Sequence, residues 1–223
     1  MRFAIFGLPR SGSHMLRDLL NQHPELQCAG ELFNPSYMAV PYNLDKVFQT
    51  YLTGSKAGFI LHADNGNAYS KDRKVQRWAP LWADLPARLD RVVVLRRRNR
   101  LARYVSGVVA QKRKGWQFYE VPPPVPPFEL DRARAEQVLA AEALLLSSRM
   151  FWFREHPQCR VFYEELCEDL DATLARVHAF LNVPNIPAKP STAKVGIPLC
   201  EQITNYDEVR HLEDPHQEAV PEA

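Results

Sequence analysis

Three short stretches of this chain are apolar without alternation: residues 2–8, 57–62 and 91–95, the last with the core Val92-Val93-Val94-Leu95. A strand with one wet face alternates polar and apolar side chains, so an unbroken run requires burial on both faces, as in a parallel sheet covered by helices. A shorter fourth candidate, 159–163, follows His156-Pro157. Helical stripes lie between these runs: Met15, Leu16, Leu19 and Leu20 after the first, and Leu101, Tyr104, Val105, Val108 and Val109 after the third. Residues 129–155 are rich in Ala and Leu, and Leu170, Leu174, Val177 and Leu181 form a last stripe before Pro184. Strand and helix alternate, which predicts an α/β fold: a single-domain, mostly parallel sheet flanked by helices.

The 223 residues suit one sizeable core, and we expect a domain over 1–210 with a weakly anchored tail over 211–223. The 28 Lys and Arg nearly balance 26 Asp and Glu, which excludes a bulk polycation that coats nucleic acid. No apolar run is long enough to span a bilayer. The start Met1-Arg2-Phe3-Ala4-Ile5-Phe6-Gly7 has the polarity of a leader, but Pro9-Arg10 breaks it early, so it reads as a strand. The four cysteines (Cys28, Cys159, Cys167, Cys200) are scattered, a spacing that fits reduced thiols and a cytoplasmic address better than a zinc site or a disulfide framework. Residues 121–127, Val-Pro-Pro-Pro-Val-Pro-Pro, predict an extended, polyproline-like connector.

The chemistry concentrates after the first strand, in Leu8-Pro9-Arg10-Ser11-Gly12-Ser13-His14. A helix that starts here turns free backbone N–H groups and the positive end of its dipole toward the loop. Gly12 lets the backbone approach closely, Ser11 and Ser13 add hydroxyls, and Arg10 adds a forked cation suited to oxyanions. A plain helix cap is the bland alternative. A nucleotide kinase is the sharper one, but the G-x-x-x-x-G-K-[ST] pattern is absent.

Pro9-Arg10-Ser11-Gly12-Ser13 resembles the first loop of the sulfotransferases that use 3′-phosphoadenosine-5′-phosphosulfate (PAPS), with His14 where a hydroxyl residue is usual. The resemblance implies a P-loop-like fold and PAPS as sulfate donor, with no metal. It also implies donor contacts from Pro9, Arg10, Ser11, Gly12, Ser13 and His14. The third strand runs into Arg96-Arg97-Arg98-Asn99-Arg100, at the end of the sheet where open α/β folds bind ligands. In the family a 3′-phosphate is held by an Arg and a Ser eight residues later, a spacing that Arg98 and Ser106 have. Arg96 or Arg97 takes the role if the register slips. Phe162-Tyr163-Glu164-Glu165-Leu166 resembles a further family segment, which places Tyr163 near the adenine. Asn205-Tyr206-Asp207-Glu208 resembles the tail of the bacterial carbohydrate branch, with Lys194 before it as a residue that closes on the 3′-phosphate.

Two residues are candidate bases for the acceptor hydroxyl. Glu31, in Ala29-Gly30-Glu31-Leu32-Phe33, matches a Gly-Glu segment of the trehalose and nodulation-factor branch, and His62 ends the second strand. Glu31 ranks first, because burial can raise a carboxylate toward neutral pH. Arg10 is expected to steady charge on the leaving phosphate oxygen as a fixed cation. Where relatives often carry a basic residue this chain has Ile60, which leaves that role to Lys56 or His62. The resulting expectation is in-line transfer of a sulfuryl group from PAPS to a hydroxyl of a carbohydrate or glycosylated small molecule, with no nucleic-acid partner. The alternatives are a small-molecule kinase with a degenerate loop and a catalytically silent nucleotide-binding protein of the same fold. Oligomeric state is not legible.

Overall fold

The computed structural model describes residues 1–34, 43–65, 79–115, 122–191 and 196–213. Among them the chain runs β1 (Arg2–Gly7), α1 (Ser13–Leu20), β2 (Gln27–Ala29), α2 (Leu44–Tyr51), β3 (Ala57–His62), α3 (Ala79–Asp84) and β4 (Arg91–Arg96). It continues with α4 (Arg100–Arg113), α5 (Arg132–Met150), β5 (Gln158–Phe162), α6 (Tyr163–Glu168), α7 (Leu170–Phe180), α8 (Leu199–Gln202) and α9 (Tyr206–Val209). The strands form one sheet of order β2-β3-β1-β4-β5 in which every neighbouring pair is parallel. The continuous apolar runs are these strands, and in β1 and β4 the side-chain period of two divides the residues between two cores. Ala4 and Phe6 of β1 join Phe59, Leu61, Val92 and Val94 on the face covered by α2, α3 and the end of α5. Phe3 and Ile5 join Val93, Leu95 and Val161 on the face covered by α1 and α7. A smaller core gathers Leu101 and Val105 of α4 with Leu130, Ala135, Ile203 and Val209.

Local chemistry accounts for where the structure departs from the sequence reading. β2 has three residues, too few to show a period, and its Cys28 is buried in the α1 core. The last strand ends at Phe162, so Tyr163 opens a helix and does not close a strand. The long helical stretch narrows to 132–150, because the Asp131 side chain accepts from the Arg134 amide and so caps α5. Beyond Asn182 the chain forms α8, α9 and a 3₁₀ turn at Arg210–Glu213. Glu213 is held there by the Asn99 amide and the Tyr206 hydroxyl. Lys194 lies outside the described residues.

Strand register decides where function is placed. Gly7, the last residue of β1, lies opposite His62 of β3 and Leu95 of β4, and Arg96 lies opposite Phe162 of β5. The segments that follow β1, β3, β4 and β5 therefore leave the sheet along one edge. β1 is the strand at which the order reverses, with β3 on one side and β4 on the other, the crevice position where open α/β sheets take ligands.

Gly7 also controls how closely β1 and β4 meet at that edge: a Cβ added there would stand 2.2 Å from the Leu95 carbonyl oxygen. Backbone is the obstacle, so no rotamer relieves it. Gly7→Ala is expected to lower stability by about 1–3 kcal/mol, read as a fall in the urea midpoint at unchanged slope. An unchanged midpoint would show that the two strand ends separate freely.

Candidate active site

Between β1 and α1 the backbone turns through two left-handed residues, Arg10 at φ 67° and Gly12 at φ 93°. Gly12 adopts this conformation without penalty, whereas Arg10 does so at a cost of roughly 1 kcal/mol, which surrounding contacts must offset. Gly12 is the N-cap of α1 and offers no side-chain cap, so the helix start keeps its amide donors for something else. Its missing Cβ also makes room: a Cβ there would stand 2.7 Å from Cδ2 of Tyr163. Tyr163 thus closes one side of the loop. Ser11 and Ser13 are both buried.

Opposite the loop, α4 presents two residues one turn apart. Ser106 Oγ accepts from Arg10 Nε at 3.2 Å, and Arg103 donates to the Pro9 carbonyl at 3.5 Å while pairing with Glu142 of α5. The arginine turn after β4 divides its side chains. Arg97 lies over the Tyr163 ring, with its Cζ 4.7 Å from the centroid, and its buried Nε has no hydrogen-bond partner among the described residues. Burial, followed by the charge of Arg97, pushes the Arg10 guanidinium below its ordinary value, with Glu31 working in the opposite direction. Burial lowers Arg97 as well, against the pull of Tyr163 and Glu164. Burial and the neighbouring Cys167 push the Tyr163 phenol up to about 12, so Tyr163 is neutral at physiological pH.

Arg98 is oriented differently. Its guanidinium pairs with Glu165 at 2.9 Å and lies over Phe162, while Glu164 accepts from the amides of Arg98 and Asn99. The structure therefore brings Arg10, Ser106, Tyr163 and Arg97 together, and turns Arg98 toward α6. Arg97 ranked behind Arg98 because spacing along the chain says nothing about which side of the turn each guanidinium takes. Asn205, in the tail segment, holds both backbone groups of Leu130 with its side-chain amide and so fixes the start of α5.

The two candidate bases meet. Glu31 follows β2, and its Oε1 accepts from His14 Nε2 at 2.9 Å. Its Oε2 accepts from Asn34 at 2.7 Å and stands 3.5 Å from His62 Nδ1. The other ring nitrogen of His62, Nε2, hydrogen-bonds with Ser13 Oγ at 3.1 Å. Donor loop and carboxylate are thereby joined through one imidazole. Burial would raise the Glu31 pKa, but the hydrogen bonds from His14 and His62, the charge of His62 and the Asn34 amide outweigh it and hold the carboxyl well below its usual range. The expectation that burial would carry Glu31 toward neutrality is overturned by these donors. His14, out of pattern in the loop, is one of them. Asn34, missed in the sequence, stands three residues after Glu31 in the same segment.

Of the two substitutes named for Ile60, Lys56 is at the wrong end of β3. Its ammonium binds Glu25 and the Asn182 carbonyl, while His62 at the other end lies in the site.

Comparison with known proteins finds sulfotransferases. The model of the sulfotransferase family matches residues 3–89, which carry the anion loop, Glu31 and His62. Nodulation protein H of Rhizobium meliloti (strain 1021) is 26% identical over 228 residues, covering 93% of this chain and 89% of that protein. A sulfotransferase from Alicyclobacillus acidocaldarius shares the fold at a TM-score of 0.52 and 14% identity, covering 95% of this chain and 93% of that one. The match of residues 3–89 to the sulfotransferase family, the relative alike over most of its length and the shared fold together support a sulfotransferase enzyme.

Proposed function

We propose that this sulfotransferase takes PAPS as its donor and moves the sulfuryl group in line to a hydroxyl of a carbohydrate or glycosylated small molecule in the cytoplasm. The observation that carries the donor reading is the convergence of two buried guanidinium groups, Arg10 and Arg97, beside the free N-terminus of α1. Two buried guanidinium groups side by side favour an anion placed between them, and phosphosulfate is such an anion. The donor, when bound, supplies an activated sulfuryl group on a good leaving group.

The residues of this chain then have separate tasks. The α1 amides with Ser11 and Ser13 receive the phosphosulfate oxygens, and Arg10 stands as a fixed cation against charge that grows on the leaving oxygen. Tyr163 offers the adenine a neutral aromatic face, with Arg97 on its other side. Ser106 and Arg98 are assigned to the 3′-phosphate by their spacing, and Lys194 is kept as the residue that closes on it.

Glu31 takes the proton of the acceptor hydroxyl, oriented by His14, Asn34 and His62. A carboxylate this acidic is a weak base. It suffices because the proton leaves late, when the oxygen already bonded to sulfur has become a strong acid. The carbohydrate acceptor is supported by the Gly-Glu segment around Glu31 and by the similarity to nodulation protein H.

Isothermal titration with adenosine 3′,5′-bisphosphate tests the donor reading, and absence of binding at millimolar ligand would refute it. Arg97→Ala is expected to weaken this nucleotide and its 3′-dephospho analogue alike, by about 2–3 kcal/mol. Arg98→Ala is expected to weaken the 3′-phosphorylated form selectively, and equal losses would place the 3′-phosphate elsewhere.

A pH profile tests Glu31. A carboxyl with a lowered pKa is ionised above that value, so its acid limb lies below the ordinary value of about 4.3. Glu31→Gln should therefore reduce kcat by about two orders of magnitude without moving any limb between about pH 5 and about pH 9. A limb in that window that vanishes with Glu31 would show that the carboxylate titrates near neutrality after all.

A further inference from the structure

We propose that Arg103 is a positioning residue for donor binding, holding the Pro9–Arg10 turn in the conformation that receives the anion, with Glu142 as the partner that fixes it. Both contacts are described above: Arg103 donates to the Pro9 carbonyl at 3.5 Å and binds both oxygens of Glu142. The Arg103 side chain is 7% exposed, so a forked grip on a carboxylate leaves it little freedom. It stands one helical turn before Ser106, and these two residues bracket the left-handed Arg10 from the same face of α4.

The pairing answers a specific problem. A guanidinium brought beneath this loop on its own would add a third cation to Arg10 and Arg97. Joined to Glu142, it delivers an N–H to a backbone carbonyl with little net charge, so it acts on the shape of the loop and leaves the anion to the other two arginines. Arg100, one residue into α4, donates to the Leu139 carbonyl of α5 and holds the same two helices in register. α5 thereby reaches the donor site without touching the donor.

The inference rests on the donor reading above, and its test separates the two. Arg103→Lys keeps the charge and removes the fork. The expected result is a tenfold or greater loss of affinity for adenosine 3′,5′-bisphosphate, an unchanged acceptor KM, and faster amide exchange confined to the peptide spanning 8–12. In the exchanged pair Arg103→Glu with Glu142→Arg, the ion pair and the thermal midpoint are expected to return toward wild type. The loop exchange and the nucleotide affinity should stay impaired, because the guanidinium now hangs from α5 and Pro9 lacks its donor. Affinity that recovers in step with the thermal midpoint would make the pair purely structural and overturn the proposal. So would wild-type loop exchange in Arg103→Lys. Should the wild-type chain bind no bisphosphate, the donor reading fails and the exchange measurement alone decides the role of Arg103.

Discussion

The site depends on one alignment across the sheet. Gly7 sits between His62 and Leu95 at the ends of three parallel strands, and the loops that leave this edge carry the anion-binding turn, the imidazole beside Glu31 and the arginine turn. Parallel strands impose this, because their carboxyl ends face the same way and their connections must cross behind the sheet. Burial on both faces holds the alignment. A slip of one residue would exchange Phe6 for Ile5 between two cores that are built for different partners.

On that frame the charges are balanced group by group. Arg103 is neutralised by Glu142, and Arg98 by Glu165, which also takes Arg176. Arg10 bonds Ser106 and Arg97 lies over Tyr163, with both guanidinium groups buried beside the loop. Around Glu31 the balance is reversed: three donors surround the carboxylate and it stays ionised. One region favours an anion and the other offers a carboxylate, with His62 bonded to Ser13 of the first and facing Glu31 of the second. Sulfuryl transfer needs this division, since the leaving group gains negative charge while the incoming hydroxyl gives up a proton.

Much of this was legible in the chain, for identifiable reasons. The buried strands declare themselves because a run such as Val92-Val93-Val94-Leu95 has no other stable environment. The anion loop is legible because its parts, a glycine, hydroxyls and an arginine between strand and helix, are contiguous. β2 was not legible, because three residues held mainly by their pairing to β3 carry no periodic signal. Which guanidinium of the arginine turn lies over Tyr163 was not legible either, because spacing does not report which way successive side chains leave a turn.

The sequence by itself determined the α/β class, the position of the loop and the identity of the groups that meet there, since these follow from local pattern and composition. Only the tertiary structure decided their pairings: Arg97 on Tyr163, Arg103 beneath Pro9, and Glu31 among His14, Asn34 and His62. The direction of the Glu31 pKa belongs to the second class. Burial and hydrogen bonding act on a carboxyl in opposite senses, and which prevails depends on how many donors the fold brings within reach.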